Sequence, residues 1–302
     1  MRILVCGLVA VVSVFLAAGA ATLAGTPPVI VSPSGGDFVR IQDAIDAADI
    51  GDVIIVRTGT YRENLAIGRP LMLSAEEDVF LEPDDVNRPA IAVEGTQDVT
   101  IQGFGIRMAA FGIDVSQSSC TITNCSISAV DTGIRIVAFD GDAVSILHTT
   151  FRGSRQGTGA MILGSGRALL AQCEFSGLPT GVLFGGVGTG VVQGCVLESC
   201  YEAIVVSNTM HAVLVGNTLR CNYANAIRLD QVPFPAEEGT LCLIGNTIEH
   251  NGRWGMTLCG IDGTDLDASF GRVLGTGNVF SGNGNGPVCP VDLPLPEGFG
   301  LP

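Results

Sequence analysis

The sequence predicts an all-β solenoid, in which short parallel strands wind into stacked coils behind one short N-terminal capping helix. Three observations predict it. A segment of about two dozen residues recurs along the chain, the signature of a repeat architecture. Its copies place Ile106, Ile127, Phe151, Phe175, Leu197, Leu219, Ile248 and Phe280 at one equivalent position, at intervals of 21, 24, 24, 22, 22, 29 and 32 residues. Each copy carries alternating apolar and polar runs too short for helices. Gly, 41 of 302 residues, supplies the corners between them.

The elements follow in order. Residues 1–20 read as an export signal: Met1-Arg2 is a short positive start, Ile3 to Ala18 is apolar and uncharged, and Ala18-Gly19-Ala20 suits a signal peptidase. Cleavage after Ala20 and retention of the segment as an anchor are both open. Beyond it no stretch is long and apolar enough to span a bilayer, so the mature chain is expected to be secreted, periplasmic or on the cell surface. Residues 21–98 should form the cap and the first coils. Val29 to Val31 reads as a strand, and Phe38, Ile41, Ala44, Ile45 and Ala48 recur at helical spacing behind Asp37, a suitable N-cap. Strands follow at Val53 to Val56, Leu71 to Ser74, Val79 to Glu82 and Ile91 to Val93. Residues 99–282 should form regular coils, with insertions between Asp230 and Leu243 and between Cys259 and Val273. Residues 283–302, rich in Pro and Gly, should cover the last coil, because a bare end would offer strand edges for unwanted pairing.

Net charge is −15 and every basic residue is arginine. Such a surface repels nucleic acid and anionic lipid, so neither is an expected partner. Ten cysteines leave nine after signal removal, an odd number, so at least one thiol is unpaired within the chain. Cys173 with Cys195, and Cys200 with Cys221, fall on adjacent coils about 4.8 Å apart, a spacing that permits a disulfide in each case.

Asp37-Phe38-Val39-Arg40-Ile41-Gln42-Asp43-Ala44-Ile45, then Gly51-Asp52-Val53-Ile54-Ile55-Val56 and Gly59-Thr60-Tyr61-Arg62-Glu63-Asn64, resemble the opening segment of pectinesterases, and equally that of periplasmic copper-site maturation proteins. With the coil repeats, the chain resembles the right-handed parallel β-helix proteins of the pectin-lyase-like group. That resemblance implies a right-handed parallel β-helix and leaves activity open, because fold does not set function. The Gln-Asp-Thr, Asp-Phe-Ile-Phe-Gly and Leu-Gly-Arg-Pro-Trp motifs of pectinesterases are absent; Ile67-Gly68-Arg69-Pro70 matches part of the last, far too early and without the Trp. The Asp-Pro-His motif of alginate epimerases is also missing.

Candidate sites come from columns. The residues two before each marker are Phe104, Cys125, Thr149, Cys173, Cys195, Asn217, Asn246 and Asn278, expected to stack as an internal polar and thiol ladder. Alternation points Asp114, Arg135, Ile162, Leu183, Val205, Arg228 and Thr257 outward, and likewise Leu169, Val191, Val213 and Cys242. The apolar part of these rows is expected to serve self-association or docking. Asp114 beside Arg135, and Arg228 with Asp230, are the catalytic candidates if the chain is an enzyme: an acid beside an arginine could hold a uronic sugar or begin proton abstraction. Asp262, Asp265 and Asp267 form the candidate calcium site, since calcium favours clustered carboxylates. Trp254 is the single tryptophan and there are three tyrosines, few for a groove that tracks a sugar polymer. Two functions follow: a non-catalytic exported surface, adhesion or assembly scaffold, or a lyase or hydrolase acting on an acidic polysaccharide.

Overall fold

The computed structural model describes residues 27–128, 131–153, 157–207, 211–230, 240–258, 272–289, 291, 293 and 295–301. The chain coils into three parallel sheets, here A, B and C, of eleven, ten and ten strands. Sheet A begins with Val29–Val31 and ends with Arg272–Thr276; sheet B runs from Gly59–Arg62 to Val279–Ser281; sheet C runs from Leu65–Ile67 to Gly286–Cys289. One coil contributes one strand to each. The register aligns the predicted markers side by side in sheet B, Ile127 between Ile106 and Phe151, then Phe175, Leu197, Leu219, Ile248 and Phe280. These side chains are buried, and the rings of Phe151 and Phe175 stack at 4.5 Å between centroids.

The corners on either side of sheet B explain the repeat. At the first, a residue in the left-handed region turns the chain: Asn124, His148, Gln172, Gly194, Gly216, Gly245 and Gly277 all have positive φ. Asn, His and Gln tolerate this conformation at some cost, whereas Gly adopts it freely. The next residue points inward and builds the ladder. The amide of Asn217 donates to Asn246 Oδ1 and that of Asn246 to Asn278 Oδ1, each at 2.9 Å. Thr149 and Cys195 continue the column at its other end, accepting from the backbone N–H groups of Cys125 and Cys173. The second corner repeats the device: Gly177, Ser199, Cys221, His250 and Gly282 have positive φ, and the residues after them form a second ladder through Cys200, Asn222, Asn251 and Asn283. Each such buried bond contributes about 1 kcal/mol net.

The two disulfides that coil spacing permits are not formed. Cys173, Cys195, Cys200 and Cys221 are free thiols. Cys200 points inward from its ladder position, whereas Cys221 is the exposed turn residue before one, so their side chains diverge. The Cys173 and Cys195 sulfurs are occupied in hydrogen bonds to the backbone. Cys289 is disulfide-bonded.

At the start, helix α1 (Ile41–Ala47) packs Ile41, Ala44 and Ile45 onto the first coil. Its cap differs from the expected one. Asp37 instead accepts from the backbone N–H of Ile30 at 2.8 Å, and the helix is capped from a distance by Glu63, which accepts from the N–H groups of Ile41 and Gln42 at 2.8 and 3.0 Å. Two of the orphan donors of the first turn are thereby satisfied, and the carboxylate meets the positive end of the helix. Asn64 braces the loop before the next coil through Asp85 and Pro89, and Tyr61 donates to the carbonyl of Arg57. Arg69 donates to the Ala48 carbonyl. Residues of the opening segment, with Arg69, thus hold the cap in place. At the far end, the N–H groups of Gly277 and Asn278 donate to Gly298 and Phe299, and the Phe299 ring stacks on Phe280.

Candidate functional site

The outward face of sheet C carries the candidate acid and arginine pairs. Its central row is Asp114, Arg135, Met161, Leu183, Val205, Arg228 and Thr257. Met161 takes the place expected for Ile162, which instead points into the core beside Ile136 and Phe184. The strand reads Gly159-Ala160-Met161-Ile162-Leu163, apolar throughout, so alternation alone does not reveal its phase.

Asp114 and Arg135 meet as a bidentate pair. Arg135 Nε donates to Asp114 Oδ1 at 3.0 Å, and Nη2 donates to Oδ2. The guanidinium lies 5.7 Å from the Phe111 ring centroid. The hydrogen bond to Asp114 holds the arginine pKa above its ordinary value.

Arg228 and Asp230 also meet, and the structure adds a partner that the sequence did not single out. Glu202 accepts from Arg228 Nε at 2.7 Å, and Arg228 Nη1 donates to Asp230. Glu202 is only 6% exposed and accepts a second bond from the Asn225 amide at 3.2 Å. Ser207 Oγ donates to Asp230 Oδ2 at 3.4 Å. The signal for Glu202 was a column, Thr180, Glu202, Asn225 and Trp254, at the corner where strict alternation has not begun.

Four strand spacings, about 19 Å, separate Arg135 from Arg228. The two clusters cannot act on one bond. Between them the face is apolar: Met161 and Leu183 are half-buried, and Val205 is 1% exposed. On sheet A, Leu169, Val191 and Cys242 are likewise buried although they point away from the core. The apolar rows are therefore less bare than alternation implies.

The calcium candidates Asp262, Asp265 and Asp267 lie outside the described residues. Among the described residues, no group of three or more His, Cys, Asp or Glu side chains could hold a metal ion. Glu82 is instead shared by Arg62 and Arg107, and Asp142 accepts from the Phe139 N–H. His148, His211 and His250 are exposed and sit on separate coils. Among the described residues no helix is long and apolar enough to cross a membrane.

A third feature lies at the second corner, next to sheet C. Leu178, Pro179, Tyr201 and Tyr223, with Gly177 and Ser199, line an open groove of about 480 Å³. Tyr201 and Tyr223 are successive members of one turn column, 49% and 60% exposed.

Residues 132–291 match the family model described as the right handed beta helix region. The chain belongs to the right-handed β-helix family. Among solved structures, this right-handed β-helix is similar to the alginate lyase of Paenibacillus sp. FPU-7, with a TM-score of 0.66 at 17% identity over 82% of this chain and 95% of that one. It is similar also to pectate lyase Pel9A, at TM-score 0.61 and 13% identity over 90% and 79% of the two chains. The A-module of the mannuronan C-5 epimerase AlgE4 of Azotobacter vinelandii gives 0.54 and 13% over 85% and 94%. At such identities the likeness establishes the fold alone. A cell surface glycoprotein of Methanothermus fervidus is 32% identical over 93 residues, 30% of this chain and 16% of that protein. The chain thus matches only a small part of that relative's length.

Proposed function

We propose that this right-handed β-helix is an exported, non-catalytic scaffold at the cell surface, which presents its lateral faces to other molecules without turning them over. The observation that carries this reading is the condition of its arginines on sheet C. Arg135 is engaged by both oxygens of Asp114, and Arg228 is shared by Glu202 and Asp230. An arginine whose donors are already committed to carboxylates offers little to a uronic acid and is poorly placed to take a proton. The missing pectinesterase and epimerase motifs support the same reading, as does the likeness to a cell surface glycoprotein. Export through cleavage after Ala20 belongs to the proposal; N-terminal sequencing of the secreted form should begin at Ala21.

The test is incubation of the purified protein with pectin, alginate and glycosaminoglycans, with and without calcium, monitoring unsaturated uronate absorbance and new reducing ends. No product is expected. Product that disappears in Arg228→Gln would overturn the reading.

One observation favours the alternative, a lyase or hydrolase acting on an acidic polysaccharide. Glu202, Arg228 and Asp230 form a single network in which an arginine lies between a buried and a half-buried carboxylate. Displacement of Asp230 by an incoming uronate would free one guanidinium edge for the substrate. Under that reading the activity resides in this cluster, and Asp114 with Arg135 serves only as a remote anchor.

A further inference from the structure

The groove at the second corner has no place in the reading above, and its chemistry points to a ligand. Tyr201 and Tyr223 occupy equivalent turn positions on successive coils, whose backbones lie about 4.8 Å apart along the axis. Leu178 and Pro179 extend the same wall by a further coil. A tyrosine ring offers a flat apolar face with a polar tip, and it loses little rotamer entropy on binding. The apolar face of a pyranose ring matches that surface, and the sugar's hydroxyls remain free to bond to water and to Ser199. Apolar side chains that converge on an open cleft, with only a few polar groups, are the usual make-up of a small-ligand site.

Charge narrows the class. None of the six lining residues is charged. Arg220, in the adjoining strand column, is committed to Glu198 at 2.8 Å, and Arg253 lies on the coil after Tyr223, its backbone N–H on the Ala224 carbonyl. The chain as a whole carries −15. A polyuronate would therefore meet the repulsion of a net negative chain, whereas a neutral sugar meets none.

We propose that the Leu178–Pro179–Tyr201–Tyr223 groove binds an uncharged glycan, with pyranose rings stacked on successive coils. This binding site is independent of whether sheet C is catalytic, and it gives the scaffold a named class of partner.

The experiment is retention of the full chain on cellulose, xylan, mannan and chitin, compared with polygalacturonate and alginate, by pull-down and affinity electrophoresis. At least one neutral polymer should retain the protein and the two polyuronates should not. Tyr201→Ala and Tyr223→Ala should each weaken retention about tenfold, and the double variant more. Tyr201→Phe, which keeps the ring, should bind nearly as well as the parent. Circular dichroism and thermal unfolding establish that each variant is folded. The proposal is overturned if the folded parent is retained by no neutral polymer, if the polyuronates retain it as well as the neutral polymers do, or if the double alanine variant binds unchanged. Product release in the same tubes is a separate readout: it would overturn the non-catalytic reading and leave the groove standing.

Discussion

The side-chain amide of Asn217 donates to Asn246 Oδ1 at 2.9 Å across a coil boundary, although the two residues are 29 positions apart in the chain. Asn246 Oδ1 also accepts from the backbone N–H of Asn217 at 2.9 Å, and the Asn246 amide donates both to the Leu214 carbonyl and to Asn278. One side chain therefore satisfies groups on the coils before and after its own. The two ladders hold coils in register where insertions have made the repeat irregular.

Replacing Asn246 by Ala should be among the most damaging single changes. It orphans the backbone N–H and one amide hydrogen of Asn217, takes the side-chain donor from the Leu214 carbonyl and one of two donors from Asn278 Oδ1, all in the buried interior, and leaves a small void. The loss should be about 2–4 kcal/mol, since each unsatisfied buried group costs about 1–3 kcal/mol. Asn246→Asp keeps the acceptor yet buries a charge, and it should be no milder. Urea unfolding followed by circular dichroism checks both; a loss below about 0.5 kcal/mol would refute the ladder's role.

Glu63→Ala should loosen the N-terminal cap by about 1–2 kcal/mol, the usual cost of deleting a helix cap. Glu63→Gln retains one acceptor oxygen and should lose less. Amide exchange at Ile41 and Gln42 should accelerate in the Ala variant, while the coils around Asn217 keep their protection.

Arg228→Met leaves Glu202 buried and without its cation, and it should destabilise the fold by about 3–5 kcal/mol. The double change Arg228→Met with Glu202→Gln should recover a good part of that, because the carboxylate left unpaired, Asp230, is half-exposed rather than buried. Absence of recovery in thermal unfolding would show that Arg228 acts through something other than this pair.

Cysteine chemistry should single out Cys221. The thiolate is the reactive form. Burial pushes the Cys120 thiol up to about 12 and the Cys125 and Cys200 thiols up to about 11, from an ordinary 9.0, so at pH 8 they stay protonated as well as shielded. Cys221 is exposed. A thiol reagent applied to the native protein at pH 8 should show one fast phase that vanishes in Cys221→Ser, with the buried thiols appearing on unfolding.

The same shifts have a consequence for stability. Above pH 9 the unfolded chain gives up these protons while the folded chain keeps them. Their contribution is therefore complete below pH 9 and is lost as pH rises towards 11–12, the folded values. The urea midpoint should fall steadily between pH 9 and pH 11, and less steeply in Cys120→Ala.

The marker column was legible because a fixed apolar position recurs at the period of one coil, and the first ladder was legible two residues before it. The second ladder, three residues after each marker, was missed. Leu178 and Cys200 interrupt the run of asparagines, so residue type alone does not reveal a column that the geometry makes continuous. The pairing of Cys200 with Cys221 failed for a related reason: adjacent coils bring Cα atoms close, but a single left-handed residue decides whether the next side chain points in or out.

By itself the sequence determined that this chain is a parallel β-helix with a helical cap, because a coil that buries its own apolar face against identical neighbours leaves a period any reader can count. It also placed Asp114 beside Arg135 and Arg228 beside Asp230, since residues one coil or one alternation apart must share a face. Only the tertiary structure decided which groups those arginines meet, that Glu202 completes one cluster, and that Tyr201 and Tyr223 form a wall. Those outcomes depend on corner geometry and on side chains meeting across coils 22 to 26 residues apart, where small differences in loop length redirect a residue without altering the repeat.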